Sequence, residues 1–436
     1  MTERLYYHNS FLYDFVAALE EVRTLDGRTA LVLDRTVFYP TSGGQIFDTG
    51  WLELEILEEN PALSANSPDK GETQPRPRFS PKVRVTEVAD TEDGAILHFI
   101  EGAIPGYPTL SANGASKGGA PVRVRGFVDV ERRRDHMQQH SGQHLLSAAF
   151  VELFQMPTVS FHMGEESCTI DLDAKSLSAE QVRKAEARAN EVILQDRAVG
   201  VHFVSAEKAR EMGVRKIPPA ERDELRLVEI KDFDLCACGG THVKATGQVG
   251  SILCRKVEKV KQGFRVEFVC GERAVRTARK DYETLVESGG LFSTHAWEVP
   301  ASIRKLLEEN KAAGKTQHRL LEEIAELRAA QMIAALGDRK VIAQVIPDRD
   351  LAFVKLLAQK LTQSPGIVAL LGAGIGQAAL VFAQSPGSAN DMGALMKEAM
   401  AKLGSRGGGN KDLAQGGVAD PAKLEESVRE AAAKIK

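Results

Sequence analysis

The chain has 436 residues, too many for one ordinary hydrophobic core, so about three domains are expected. Hydrophobic residues make up 43% and charged residues 27%, which excludes a membrane-embedded or wholly disordered chain. Five cysteines are too few and too scattered for a disulfide framework. Met1–Arg4 leads into no apolar signal segment and no apolar run reaches transmembrane length, so a cytoplasmic protein is expected. The net charge of -4 excludes a globally basic nucleic-acid binder, and any RNA contact has to come from local patches.

Short β-type runs open the chain: Thr29–Leu33, Trp51–Ile56, Val83–Val88 and Ala95–Ile100, separated by turn residues. They predict a small β-barrel over about residues 1–110. Residues 60–81, rich in Pro, Ser, Asn and charge, read as a disordered excursion between strands. Residues 105–121, dominated by Gly, Pro, Ser and Ala, read as an inter-domain linker.

An α+β domain is expected over residues 122–275. Val122–Val128 would be its first strand, and a helix follows from about Gln138 into an apolar run. Phe161–Met163 and Cys168–Leu172 suggest a hairpin, Ser178 caps a helix running to Gln195, and Val249–Cys254 and Phe264–Val269 are strands. Residues 301–336 hold one long helical pattern, weakened at Gly314, within a helical linker expected over 290–338. The 4–3 spacing of Leu320, Ile324 and Leu327 suggests a coiled-coil contact, and so a homodimer through this helix or the domain after it. Over 339–436, β runs at Val341–Ile346, Ile367–Leu371 and Ala379–Phe382 lie between helices at Leu351–Leu361, Met392–Leu403 and Pro421–Ile435. The expected fold is therefore multidomain α+β: a small barrel, an α+β domain, a long helical linker and a small C-terminal α/β domain.

The chemistry is carried by a split constellation. His140-Ser-Gly-Gln-His144 lies in the first helix, where positions i and i+4 share a face and both imidazoles can meet one ion. About a hundred residues later comes Cys238-Gly-Gly-Thr-His242, whose glycines permit a tight turn. Imidazole and thiolate suit zinc, which takes four such ligands in a tetrahedron, so one zinc per chain is expected. Cys236 is a competing ligand. A zinc peptidase has a glutamate base directly after its first histidine; here that position is Ser141, so peptidase chemistry is not expected. Glycines 407–409 lack the Lys-Ser/Thr ending of a phosphate loop, and Gly372–Gln377 leads into a strand rather than a helix, so no nucleotide fold is read there.

His-x-x-x-His followed by Cys-Gly-Gly-Thr-His-Val resembles the editing domain of alanyl-tRNA synthetase and its free-standing relatives, the AlaX proteins. The segment Phe38-Tyr-Pro-Thr-Ser-Gly-Gly-Gln-Ile-Phe-Asp-Thr-Gly50 looks like that family's Gly-Gly-Gln motif, and Gly407–Gly417 is similar to the signature of the synthetase's C-terminal domain. The three motifs keep the family's order. The resemblance implies that residues 122–275 are a zinc-dependent editing domain and that residues 339–436 help to bind tRNA. It implies hydrolysis of the ester between tRNA(Ala) and a wrong amino acid, serine or glycine, with no membrane partner. A pocket for alanine cannot exclude glycine by size, nor strongly reject a hydroxyl-bearing analogue, so a second hydrolytic sieve is useful.

Roles follow from the same resemblance. His140, His144, Cys238 and His242 would bind zinc. Gly43, Gly44 and Gln45 would form a barrel loop over the substrate, with Thr241, Ser160 and Arg265 completing its wall. No catalytic residue is assigned; His136, one turn before His140, is a candidate that could ligate the ion, donate a proton or contact phosphate. Arg132, Arg133 and Arg134 lead into the first helix, and Lys256 and Lys259 follow the second ligand pair; both runs would meet phosphates, together with Gly407, Gly408 and Gly409.

Overall fold

The computed structural model describes residues 1–56, 78–102, 122–215 and 224–435. The chain forms two compact units, Met1–Thr284 and Leu285–Lys436. Residues 60–77 of the expected excursion and the whole of the expected linker at 105–121 lie outside the described residues.

The first unit opens with a closed barrel. Gly50–Ile56 pairs with Val83–Asp90, then come Ile96–Ile100, Arg28–Leu33, Asp14–Leu25 and Arg123–Val128, which pairs back onto Gly50–Ile56. Every one of these pairings is antiparallel, and closure leaves this ring without an edge strand. Alternate residues point inward. Leu31, Leu33, Leu52, Leu54, Val85, Ile96 and Val124 meet in the barrel core. Arg123–Val128 is thus the barrel's closing strand and not the first strand of the next domain. Sequence order misleads here because the strand's partners lie far upstream, at Phe15 and Leu52 among others.

A 25-residue helix, α1 (Val130–Phe154), leaves the barrel directly. It begins eight residues earlier than its apolar run suggests, since Asp129 caps it by accepting a bond from the Arg132 amide. Most of α1 is buried, including polar Arg133, His136, Gln139, His140, Ser141, Gln143 and His144. One side packs on an antiparallel sheet ordered Thr158–Met163, Cys168–Leu172, Gly263–Cys270, Ile252–Val260. Gly142 permits the approach, because a Cβ there would stand 2.2 Å from the Cys270 sulfur. Helix α2 (Ala179–Leu194) starts on a reciprocal Ser178–Gln181 capping box and joins the same core. A second sheet pairs Val199–Ser205, Glu224–Ile230 and Asp234–Ala237, whose end delivers the second ligand pair. The short helix α3 (Ala206–Glu211) links two of its strands, and α4 (Gly271–Leu291) follows the first sheet.

The second unit is led by α5 (Val299–Ala334), one helix that continues through Gly314. Its Ala325 and Ala329 are buried in a core with α6 (Leu351–Leu361), whereas Leu320, Ile324 and Leu327 are exposed. The sheet runs Val341–Ile346, Val368–Ala373, Ala379–Gln384, Leu413–Gly417, Gly407–Gly409, with α6 on one face and α7 (Met392–Lys402) and α8 (Leu424–Ala432) on the other. Glycines 407–409 are therefore an edge strand. The lack of side chains is what lets this strand pair so closely, since a Cβ on Gly409 would meet the Leu413 carbonyl oxygen at 2.2 Å.

Candidate metal centre

Helix α1 aims His140 and His144 at the loop after Ala237. There Cys238 and His242 complete a group whose four ligand atoms lie within 4.8 Å of one another. Cys238 Sγ is 3.4 Å from His140 Nε2 and 3.3 Å from His242 Nε2. The loop can sit this close to α1 only because residue 240 is glycine: a Cβ would fall 2.1 Å from the His140 ring.

Each imidazole is held by its far nitrogen. Gln45 Oε1 is 2.7 Å from His140 Nδ1, Ser141 Oγ is 3.1 Å from His242 Nδ1, and Asp234 Oδ2 is 3.1 Å from His144 Nδ1. Asp234 is itself gripped by Arg215 Nε and Nη2, at 2.7 and 3.0 Å. Such props fix the ring tautomer and leave Nε2 free for an ion. The electrostatics favour the ligating forms of Cys238 and His242. Burial favours the thiol of Cys238, but the neighbouring His140 and His242 overcome it and hold its pKa well below the ordinary value. Burial likewise opposes charge on His144, yet Asp234 and Cys238 push its pKa up to about 9, so an incoming ion has to displace a proton from its Nε2. Burial drives His242 down to about 3, so it is neutral. Neutral imidazole and thiolate are the forms that ligate a metal, and the set could hold one ion.

Beside the cluster lies a cavity of about 200 Å³. Gly43, Gln143, Thr158, Ser160, Phe161, Arg215, Cys236, Ala237 and the ligands His140, His144 and Cys238 line it. Cys236 is a wall residue and is not one of the four grouped donors. Inside the wall the hydroxyls are already organised. Gln143 Nε2 donates to Ser147 Oγ, which is 2.6 Å from Thr158 Oγ1, and Ser160 Oγ donates to Asp171 at 2.7 Å.

Several expected site residues do other work. Of the substrate wall, Gly43 and Ser160 line the cavity; Gly44, Gln45, Thr241 and Arg265 do not. Gly44, at φ +86°, presses the barrel turn onto the Phe161 carbonyl, and its own carbonyl accepts from the Met163 amide. Gln45 and Thr241 are fully buried and bonded to each other. Arg265 is paired with Asp171. His136 is fully buried, with neither ring nitrogen hydrogen-bonded among the described residues. Burial and then Arg132, Arg273 and Arg133 lower its pKa to about 2, so at neutral pH it is the neutral imidazole and not an imidazolium acid. Arg133 has to be withdrawn from the phosphate-binding set: it is 0% exposed and paired with Asp48, also 0% exposed. Arg132 is engaged by Glu165 and Lys256 by Glu258, while Arg134 and Lys259 are exposed. Sequence reasoning missed Asp48, Arg215 and Asp234. Asp48 belongs to the quoted Gly-Gly-Gln-x-x-Asp segment, and that was its only signal.

Residues 225–266 match the family described as the threonyl and alanyl tRNA synthetase second additional domain. Among curated proteins, the alanyl-tRNA editing protein AlaX-L of Pyrococcus horikoshii is 28% identical over 428 residues, 96% of this chain and 95% of its own. The chain is similar to this AlaX-type protein along nearly its whole length. Alanine–tRNA ligases align too: that of Archaeoglobus fulgidus is 29% identical over 96% of this chain, and that of Natronomonas pharaonis 30% over 98%. The chain spans only 42% and 43% of those two enzymes. A solved structure, the C-Ala domain of Aquifex aeolicus alanyl-tRNA synthetase, aligns with 22% of this chain and 89% of that domain. Its identity is 26% and its TM-score 0.20, too low for the likeness to bear on the fold of this chain.

Proposed function

We propose that the chain is a trans-editing aminoacyl-tRNA deacylase, a hydrolase that cleaves serine or glycine from mischarged tRNA(Ala) at a zinc-containing site. The observation that supports this best is the grouping of three propped imidazoles and a thiolate beside a polar-walled cavity of about 200 Å³, room for an aminoacyl group. Zinc suits this donor set, and His140, His144, Cys238 and His242 would hold one ion per chain. When bound, zinc supplies a Lewis acid at the cavity wall.

The chain's own residues would select and orient. Ser141 replaces the glutamate base of a zinc peptidase, and its hydroxyl is committed to His242 and the Val243 amide. That supports ester rather than peptide substrates. Ser160 gives its proton to Asp171, so its oxygen offers lone pairs to a donor. A serine hydroxyl is such a donor and an alanine methyl is not. Phosphate contacts fall to exposed Arg134, Lys256 and Lys259 and to the C-terminal unit with its Gly407–Gly409 strand. The exposed Leu320, Ile324 and Leu327 stripe would pair two copies of the chain. The reaction belongs where translation occurs, in the cytoplasm.

The test is single-turnover deacylation of seryl-, glycyl- and alanyl-tRNA(Ala). Serine and glycine esters should be cleaved well above the buffer rate and the alanine ester spared. Equal cleavage of all three, or of none by zinc-loaded protein, overturns the reading.

A further inference from the structure

The turn Ser42-Gly-Gly-Gln45 reaches the metal cluster through a single side chain. Gly43 and Gly44 both sit at positive φ, +57° and +86°, and Ser42 and Gln45 exchange both backbone bonds across them. This tight turn projects Gln45 out of the barrel and into full burial. Its amide has only one possible orientation. The Thr241 backbone N–H can only donate, so the atom 3.1 Å from it is Oε1. Nε2 then donates to Thr241 Oγ1 at 2.9 Å. The same Oε1 is 2.7 Å from His140 Nδ1. An amide oxygen facing a ring nitrogen requires a proton on that nitrogen, so His140 carries its hydrogen on Nδ1 and presents Nε2 as a lone pair.

The other two props, Asp234 and Ser141, belong to the α+β part that carries the ligands. Gln45 alone among the ring-nitrogen partners comes from the barrel. One amide thus ties together the barrel, helix α1 and the Cys238–His242 loop. We propose that Gln45 is a positioning residue for the metal, and that through it the seating of the barrel on the α+β domain sets the protein's hold on zinc. This rests on the reading of the cluster as a zinc site. The coupling has to run both ways, since zinc that tightens the barrel contact must itself be tightened by it.

The experiment uses the full chain and the variants Gln45→Leu and Gln45→Glu. Leucine keeps the bulk and removes every hydrogen bond. Glutamate keeps an acceptor for His140 Nδ1 and the Thr241 amide, and the Thr241 hydroxyl can turn to donate. Zinc affinity is measured by competition with a chromophoric chelator, and ligand geometry by the visible bands of the cobalt-substituted protein. Gln45→Leu should bind zinc about 10- to 100-fold more weakly, with altered cobalt bands, the usual cost of losing an outer partner of a ligating histidine. Gln45→Glu should restore most of the affinity. Amide hydrogen exchange at Ser42–Gln45 should quicken when zinc is chelated from the unmodified protein. A well-folded Gln45→Leu with unchanged affinity and cobalt bands overturns the proposal, and so do equal losses in both variants or exchange indifferent to chelation. If Gln45→Leu does not fold, Gln45→Asn carries the test: its amide is one methylene short of Nδ1, and undiminished zinc affinity overturns the proposal. Failure of the unmodified protein to bind zinc at all would instead remove the metal reading itself.

Discussion

Replacing Asp48 by asparagine should destabilise the first unit severely, although Asp48 touches neither the metal ligands nor the cavity. Asp48 and Arg133 are both 0% exposed. The carboxylate accepts from Arg133 Nε through both oxygens, at 3.2 and 3.1 Å, from Nη2, and from the Tyr39 amide at 2.7 Å. The guanidinium has two further acceptors, the carbonyls of Ser10 and Val37. Asparagine preserves the shape and a bond to Tyr39, but it turns an NH2 or a neutral oxygen towards an arginine that cannot deprotonate. Breaking one side of a buried pair costs about 3–5 kcal/mol, because the surviving charge stays desolvated. For a unit of this size that is a fall of roughly 10 °C in Tm. Adding Arg133→Met to Asp48→Asn removes the orphaned charge and should recover at least about 2 kcal/mol, a non-additivity expected of contacting residues. The assay is urea and thermal unfolding of all four proteins by near-ultraviolet circular dichroism. If Asp48→Asn loses less than about 1 kcal/mol, or the double variant is simply additive, the pair is not the staple described.

Three further outcomes are expected. Asp234→Asn should weaken zinc binding about 10- to 100-fold in chelator competition while His144→Ala abolishes stoichiometric binding, and full zinc content in His144→Ala would remove that residue from the ligand set. Burial opposes ionisation of Asp234, but His144 and Arg215 hold its pKa below the ordinary 3.8. Its stabilisation is therefore present above that value and lost as pH falls through and below it, so acid unfolding of Asp234→Asn should show a shallower pH dependence than that of the unmodified protein. A chain ending after Leu291, the last residue of α4, should keep its zinc and the ester chemistry but bind tRNA more weakly, and equal deacylation by both forms at low protein concentration would argue against a tRNA anchor in the second unit.

The four grouped donors were legible in the sequence because each pair lies within five residues, where helical period or a glycine turn states the geometry. The rest of the site is written at long range. Gln45 meets His140 across 95 residues, Asp48 meets Arg133 across 85, and Asp234 meets His144 across 90. No local pattern encodes those contacts. Arg132, Arg133 and Arg134 look alike as a basic run, yet one is fully buried, one is partnered and one is exposed. Periodicity read most strands correctly. It could not show that Arg123–Val128 closes the barrel, because closure depends on which edges meet. The Gly-Gly-Gln-x-x-Asp segment, read as a substrate loop, turns out chiefly to fasten two folds together: Gly44 against Phe161, Gln45 to His140 and Asp48 to Arg133.

The division of the ligand set also governs when, in the life of a new chain, the ion can be held. Cys238 stands 98 residues after His140, so bringing the two pairs together closes a long loop, and two ligands alone grip zinc poorly. Synthesis runs from the N-terminus, so the barrel strands and α1 leave the ribosome well before the Cys238 loop exists. On the proposed zinc reading, tight loading therefore has to wait for residue 242. A nascent chain stalled before that point would lack half of the grouped donors, and on that reading zinc content would separate chains that have passed it from chains that have not.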